Sequence, residues 1–90
     1  MKDIVQRASA GTLESSDVLV TLEPCDAGLE IEIDSVVKAQ FGEAIYRAAS
    51  EVLEEQGVKN ARVSMVDRGA LDCVIRARVE TAVLRGRGEC

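Results

Sequence analysis

The sequence predicts an α+β domain in which a four-stranded antiparallel sheet carries two helices on its apolar face, in the order ββαββα. Three observations predict it. Apolar and polar residues alternate through Val18–Leu22 and again through Leu29–Ile33, the two-residue period of half-buried strands. Val37, Phe41, Ala44, Ile45, Ala48 and Val52 then recur at helical spacing. The same layout returns more faintly downstream, where Leu71–Arg76 followed by a helix repeats the plan of Leu29–Asp34 followed by a helix.

Residues 1–17 have neither period. Ala8-Ser9-Ala10-Gly11-Thr12 and Leu13-Glu14-Ser15-Ser16-Asp17 are small and polar, and they read as a flexible N-terminal arm ending in an exposed loop. A single α+β domain is expected over residues 18–86, with 87–90 as a tail. Pro24-Cys25-Asp26-Ala27-Gly28 interrupts the first two strands as a hairpin connection would. Asp34 and Ser35 suit the start of the long helix and Gly57 its end. Ala61, Val63 and Met65 alternate as a third strand, and Val66-Asp67-Arg68-Gly69 suits a turn into a fourth.

The stretch after Gly69 admits two periods. Asp72, Arg76 and Glu80 stand at i,i+4 spacing and would decorate a helix. A helical wheel nevertheless sets Arg78 beside Leu71 in the apolar stripe, whereas a strand puts Leu71, Cys73 and Ile75 on one face. The strand is therefore assigned to 70–76, with Cys73 in the core and a short helix from about Ala77 to about Arg85.

Length and charge narrow the function. A chain of 90 residues holds one small core and little room for a substrate cavity. It has 11 Lys+Arg against 16 Asp+Glu and no histidine, a net charge of −5. The missing imidazole removes the Ser-His-Asp and Cys-His arrangements and every metal site that needs histidine. The negative balance, with one Phe, one Tyr and no Trp, argues against nucleic acid and anionic membranes as partners. Cys25, Cys73 and Cys90 match no zinc or redox spacing, and an odd number cannot all pair internally. With no apolar signal region at Met1–Arg7 and no long apolar run, a cytoplasmic protein is expected.

The catalytic inventory is thin. No serine has a histidine partner, and no glycine-rich phosphate loop occurs. Glu23, Glu30, Glu32 and Asp34 fall on the wet face of the sheet, as solvated charge or as a docking surface for a partner. Cys90 has Arg85 and Arg87 nearby, a setting that lowers a thiol pKa. The loop at Gly11–Asp17 offers something different. An exposed hydroxyl beside a strand can enter another protein's active site, so its bearer needs no general base of its own.

Three blocks carry a family resemblance: Ala10-Gly11-Thr12-Leu13-Glu14-Ser15-Ser16-Asp17, Ile33-Asp34-Ser35-Val36-Val37-Lys38 with Gln40-Phe41-Gly42, and Gly69-Ala70-Leu71-Asp72-Cys73 with Arg76-Ala77-Arg78. In order and spacing they resemble the acyl carrier proteins of citrate lyase, the gamma subunits of that complex. The resemblance implies a non-catalytic carrier whose serine bears 2'-(5''-phosphoribosyl)-3'-dephospho-coenzyme A through a phosphodiester bond. The family's acceptor directly follows Leu-Glu, which is Ser15 here, while Ser16 stands where some members have glycine.

Further implications concern the reaction. The group's thiol would hold acetyl and citryl thioesters while an alpha subunit exchanges the acyl group and a beta subunit cleaves citrate to acetate and oxaloacetate. A prosthetic-group transferase and an acetylating ligase are the other implied partners. A thiol-ended arm on an exposed loop would keep the acyl group near two active sites at high effective concentration. The carrier subunit of malonate decarboxylase is the alternative within this resemblance, and a small interaction domain using the acidic sheet face is the alternative outside it.

Overall fold

The computed structural model describes residues 3–89. Its elements are β1 (Ala8–Gly11), β2 (Val18–Pro24), β3 (Leu29–Ser35), α1 (Lys38–Glu55), β4 (Ala61–Asp67) and α2 (Asp72–Gly86). The α+β class, the four strands and the two helices are those the sequence predicts. Their order and pairing are not: the sequence of elements is βββαβα, and the strands lie in the order β1-β2-β4-β3.

In β2, Val18, Val20 and Leu22 point inward and are fully buried, while the residues between them are partly exposed. In β4 the inward set is Ala61, Val63, Met65 and Asp67. Antiparallel pairing sets Val20 opposite Met65 and Leu22 opposite Val63. On the other side of β4, β3 runs parallel, with Ile31 opposite Val63 and Ile33 opposite Met65. The sheet is thus mixed. The parallel pair is joined through α1, since parallel neighbours need a crossover rather than a tight turn.

Pro24–Gly28 is therefore not a hairpin. It carries the chain past the end of β4, and Ala61 N–H donating to Gly28 O at 3.1 Å, with Gly28 N–H donating to Asn60 Oδ1 at 3.0 Å, fastens β3 beside it. Alternation specifies which face a residue occupies, not which strand lies alongside. Both helices cover the inner face, α2 over β1 and β2 and α1 over β3. They bury Ile45, Ala48, Ala49, Val52 and Leu53 from α1 and Ile75, Val79, Ala82 and Val83 from α2. The long helix ends at Gly57 as predicted, where Gly57 N–H bonds Glu54 O and Val58 N–H bonds Leu53 O, a Schellman closure around a left-handed glycine.

Two segments differ from the sequence reading. The predicted arm contains strand β1, with Ala8 opposite Leu22 and Gly11 opposite Leu19, and Ile4 ahead of it is buried. The small residues Ala8, Ser9 and Ala10 give β1 almost no apolar amplitude, which is why periodicity passed over it. The predicted strand at 70–76 is instead the start of α2. The i,i+4 signal was the informative one: Arg76 bridges Asp72 on its own helix and Glu51 on α1, both at 2.7 Å. Cys73 consequently faces solvent rather than the core. Cys90 lies outside the described residues, while Arg85 and Arg87, expected beside it, donate to the main-chain oxygens of Ser9 and Gln56.

Candidate functional site

The β1–β2 connection, Thr12–Asp17, holds the serine singled out in the sequence. Its backbone is set by Gly11, whose φ is +101°. A Cβ built there would lie 1.8 Å from the Val18 carbonyl oxygen, so only glycine lets the two strands approach this closely. The far end of the loop is set by Ser16 at φ +67°, among the described residues the sole non-glycine in the left-handed region. That conformation is one that glycine adopts without strain.

Asp17 organises the loop interior. Its carboxylate accepts hydrogen bonds from Thr12 Oγ1 at 2.7 Å and Val18 N–H at 2.7 Å. It also faces Arg78, whose Nε and Nη2 donate at 3.1 and 2.9 Å. The Arg78 guanidinium, seconded by the Thr12 hydroxyl and the Val18 amide, holds the Asp17 pKa down to about 2. A single negative charge is thereby neutralised inside the turn. Glu14, directly before Ser15, remains as the flanking anion.

Arg78 is also the reason the sequence misread α2. A cation inside an apolar helical stripe looked like an error of period, yet it is half-buried and reaches across to Asp17 on another element. The signal that could have found it is that a charge on a buried face requires a partner.

The other two blocks converge on the same end of the molecule. Asp67, 1% exposed at the end of β4, accepts hydrogen bonds from Ser35 Oγ, Gly69 N–H and Ala70 N–H at 2.8 to 3.1 Å. Ser35 Oγ in turn accepts from Val37 N–H at 3.0 Å. One buried carboxylate therefore ties the entry to α1 to the entry to α2, and it turns the chain at Gly69 toward a helix instead of a hairpin. The adjacent Arg68 clamps the serine loop through its main chain: Ser16 N–H donates to Arg68 O at 2.8 Å and Arg68 N–H donates to Asp17 O at 2.9 Å.

Ser15 itself is exposed and lines a shallow depression of about 320 Å³ with Leu13, Val36 and Arg68. Next to it, a groove of about 340 Å³ opens between the N-terminal ends of α1 and α2, lined chiefly by Val37, Phe41, Ala44, Leu71 and Ile75. A hydroxyl open to solvent, one guanidinium and apolar side chains suit the root of a covalently attached phosphodiester. Among the described residues the Ser15 hydroxyl has no hydrogen-bond partner within the chain. The sequence pointed to Ser15 within the loop Gly11–Asp17; it gave no role to Arg68, Asp67 or Arg78.

The acidic sheet face is partly compensated. Arg62 lies between Glu23 and Glu30 in register and forms ion pairs with them at 3.7 and 3.3 Å, and Arg7 reaches Glu23 at 3.2 Å. Among the described residues no group of three or more Cys, Asp or Glu side chains could hold a metal ion. No helix there is long and apolar enough to cross a membrane.

Residues 5–86 match the family described as malonate decarboxylase delta subunit (MdcD). The citrate lyase acyl carrier protein of Escherichia fergusonii is 55% identical over 84 residues, spanning 92% of this chain and 87% of that protein. The protein of the same name from Streptococcus mutans is 51% identical, spanning 92% and 82%. Among solved structures, a chain of a Pseudomonas malonate decarboxylase hetero-tetramer in complex with malonate superposes with a TM-score of 0.78 at 26% identity, over 89% of this chain and 82% of that one. A homoserine kinase from Cytophaga hutchinsonii shares the fold alone, with a TM-score of 0.61 at 11% identity, over 99% of this chain and 37% of that one.

Proposed function

Because this chain belongs to the citrate lyase acyl carrier protein family, we propose that it is the non-catalytic acyl carrier subunit of a citrate lyase complex, with Ser15 as the attachment point of its prosthetic group. The group proposed is phosphoribosyl-dephospho-coenzyme A in phosphodiester linkage, serving the cleavage of citrate to acetate and oxaloacetate. When attached, it supplies a long arm ending in a thiol for acyl transfer. Acyl exchange belongs to an alpha subunit and carbon–carbon cleavage to a beta subunit, with a transferase and an acetylating ligase loading the carrier. A cytoplasmic location fits that chemistry.

The observation that carries this reading is the presentation of Ser15. Its hydroxyl stands exposed on a loop whose two ends are fixed by Gly11 and by the Ser16–Arg68 clamp. Asp17 and Arg78 hold the loop interior without engaging the serine side chain. The chain's own residues thus keep the acceptor steady and solvent-facing while leaving acid–base work to the modifying enzyme. Ser16 is the less suitable acceptor, since its left-handed backbone is committed to closing the turn.

Intact mass spectrometry of the chain produced with its native modification enzymes tests this. The wild type and Ser16→Ala gain the mass of the group, and Ser15→Ala does not; modification of Ser15→Ala overturns the assignment. The malonate decarboxylase reading is favoured by the family description and by the hetero-tetramer chain. The 47–56% identity to citrate lyase carriers, against 26% to that chain, favours citrate. Reconstitution with citrate-cleaving or malonate-decarboxylating subunits decides between them.

A further inference from the structure

We propose that Arg68 is the anion-holding residue of the Ser15 site, its guanidinium donating to the non-bridging oxygens of the phosphodiester formed on the Ser15 hydroxyl. The proposal rests on Ser15 being the attachment point and adds a residue that holds the root of the arm.

Four observations support it. Arg68 lines the same depression as Ser15, together with the apolar side chains of Leu13 and Val36. Its main chain bonds Ser16 N–H and Asp17 O, the two residues that follow Ser15, so its position is coupled to the loop's. Its guanidinium is also uncommitted. Arg7, Arg62, Arg76 and Arg78 face carboxylates and Arg85 and Arg87 donate to carbonyl oxygens, whereas Arg68 has no side-chain hydrogen bond or ion pair among the described residues. Finally, the chain's net charge is −5, Glu14 precedes Ser15 directly, and Arg78 is already spent on Asp17. A phosphodiester placed there adds a negative charge that Arg68 is positioned to offset.

The chemistry matches. A guanidinium presents a planar fork of donors to two phosphate oxygens, stays charged at any working pH and is weakly hydrated. At an exposed site the pairing is worth a few-fold in an equilibrium and weakens with salt. Anchoring the first link of the arm restricts the directions in which the thiol end sweeps and leaves the rest of the arm free. Arg47 is the internal control, since it too has no ion pair among the described residues but does not line the depression.

The test uses the full chain loaded by its own modification enzymes. In wild-type holo-protein the Arg68 Nε–H is expected to exchange with solvent about two- to fivefold more slowly than in Ser15→Ala, and the difference shrinks at high salt. The phosphodiester 31P resonance is expected to shift in Arg68→Gln, partly recover in Arg68→Lys and stay in place in Arg47→Gln. The clamp on the loop uses main-chain atoms, so Arg68→Gln should unfold at the wild-type temperature. Unchanged exchange on loading, or a 31P resonance indifferent to Arg68→Gln in a chain whose Ser15 is modified, overturns the role of Arg68 and leaves Ser15 standing. Modification that persists in Ser15→Ala overturns the attachment site and the Arg68 proposal together.

Discussion

Replacing Gly11 by alanine tests whether the serine loop is held by close approach of two strands. Two costs arise at this position. A φ of +101° is unfavourable for an L side chain by about 1–2 kcal/mol. In addition, the new Cβ would sit 1.8 Å from the Val18 carbonyl oxygen and 2.9 Å from its carbon. Ordinary C···O contact is about 3.3 Å, so the carbonyl must retreat by roughly 1.5 Å. That movement disturbs the start of β2, where Val18 pairs with Asp67, and forfeits a ladder hydrogen bond worth about 1 kcal/mol. The sum is about 2–3 kcal/mol. For a domain of this size, at about 4–8 °C per kcal/mol, the melting temperature falls by roughly 8–24 °C. Gly28→Ala is the matched control: its φ is +89°, yet nothing lies within 4 Å of an added Cβ. It should show only the conformational cost. Calorimetry on both variants, with the rate of Ser15 modification measured by mass, gives the comparison. Equal melting losses in the two variants, with unaltered modification of Gly11→Ala, would refute the close-approach argument.

Three further outcomes follow from the same geometry. Ser16→Gly should leave stability within about 0.5 kcal/mol of wild type, because relief of the left-handed backbone offsets the added chain entropy, whereas Ser16→Val should lose about 1–2 kcal/mol; the reverse order in a urea titration contradicts the conformation at φ +67°. Folding depresses the Asp17 pKa from 3.8 to about 2, so its contribution is fully present above about pH 4 and fades as pH falls toward 2. The stability gap between wild type and Asp17→Asn should therefore narrow between pH 5 and pH 2.5, and a constant gap would deny the Arg78 pairing. Cys73 stands exposed on α2 and should react with a thiol reagent in native buffer; protection until unfolding would restore the buried-strand assignment.

Local sequence encodes the serine loop but not the long-range contacts that hold it. The loop was found because local composition decides it: a glycine, hydroxyls and acids between two segments leave no apolar residue to bury. Within it, the proposal of Ser15 as acceptor came from a resemblance to a family rather than from composition. Arg68 carries no signal of its own in a turn sequence, because its relevance depends on the Ser16 N–H and Asp17 O that it meets 52 and 51 positions away. Asp67 suits a turn by its local sequence, yet it is a buried anchor for Ser35, Gly69 and Ala70.

The amino-acid sequence by itself determined the class of fold, the faces of β2, β4 and α1, the end of the long helix at Gly57 and the open loop carrying Ser15. Those features depend on residue periods and on local backbone preference, which are written within a few positions of each other. Only the tertiary structure decided that β4 lies between β2 and β3, that Ala8–Gly11 closes the sheet as an edge strand, and that residues 72–76 are helical. The physical reason is shared by all three. An alternating strand satisfies its buried face equally well beside several neighbours, and a short segment of ambiguous period takes the form that pairs its charges. Here Arg78 finds Asp17 and Arg76 finds Glu51 only when α2 is a helix lying across the sheet.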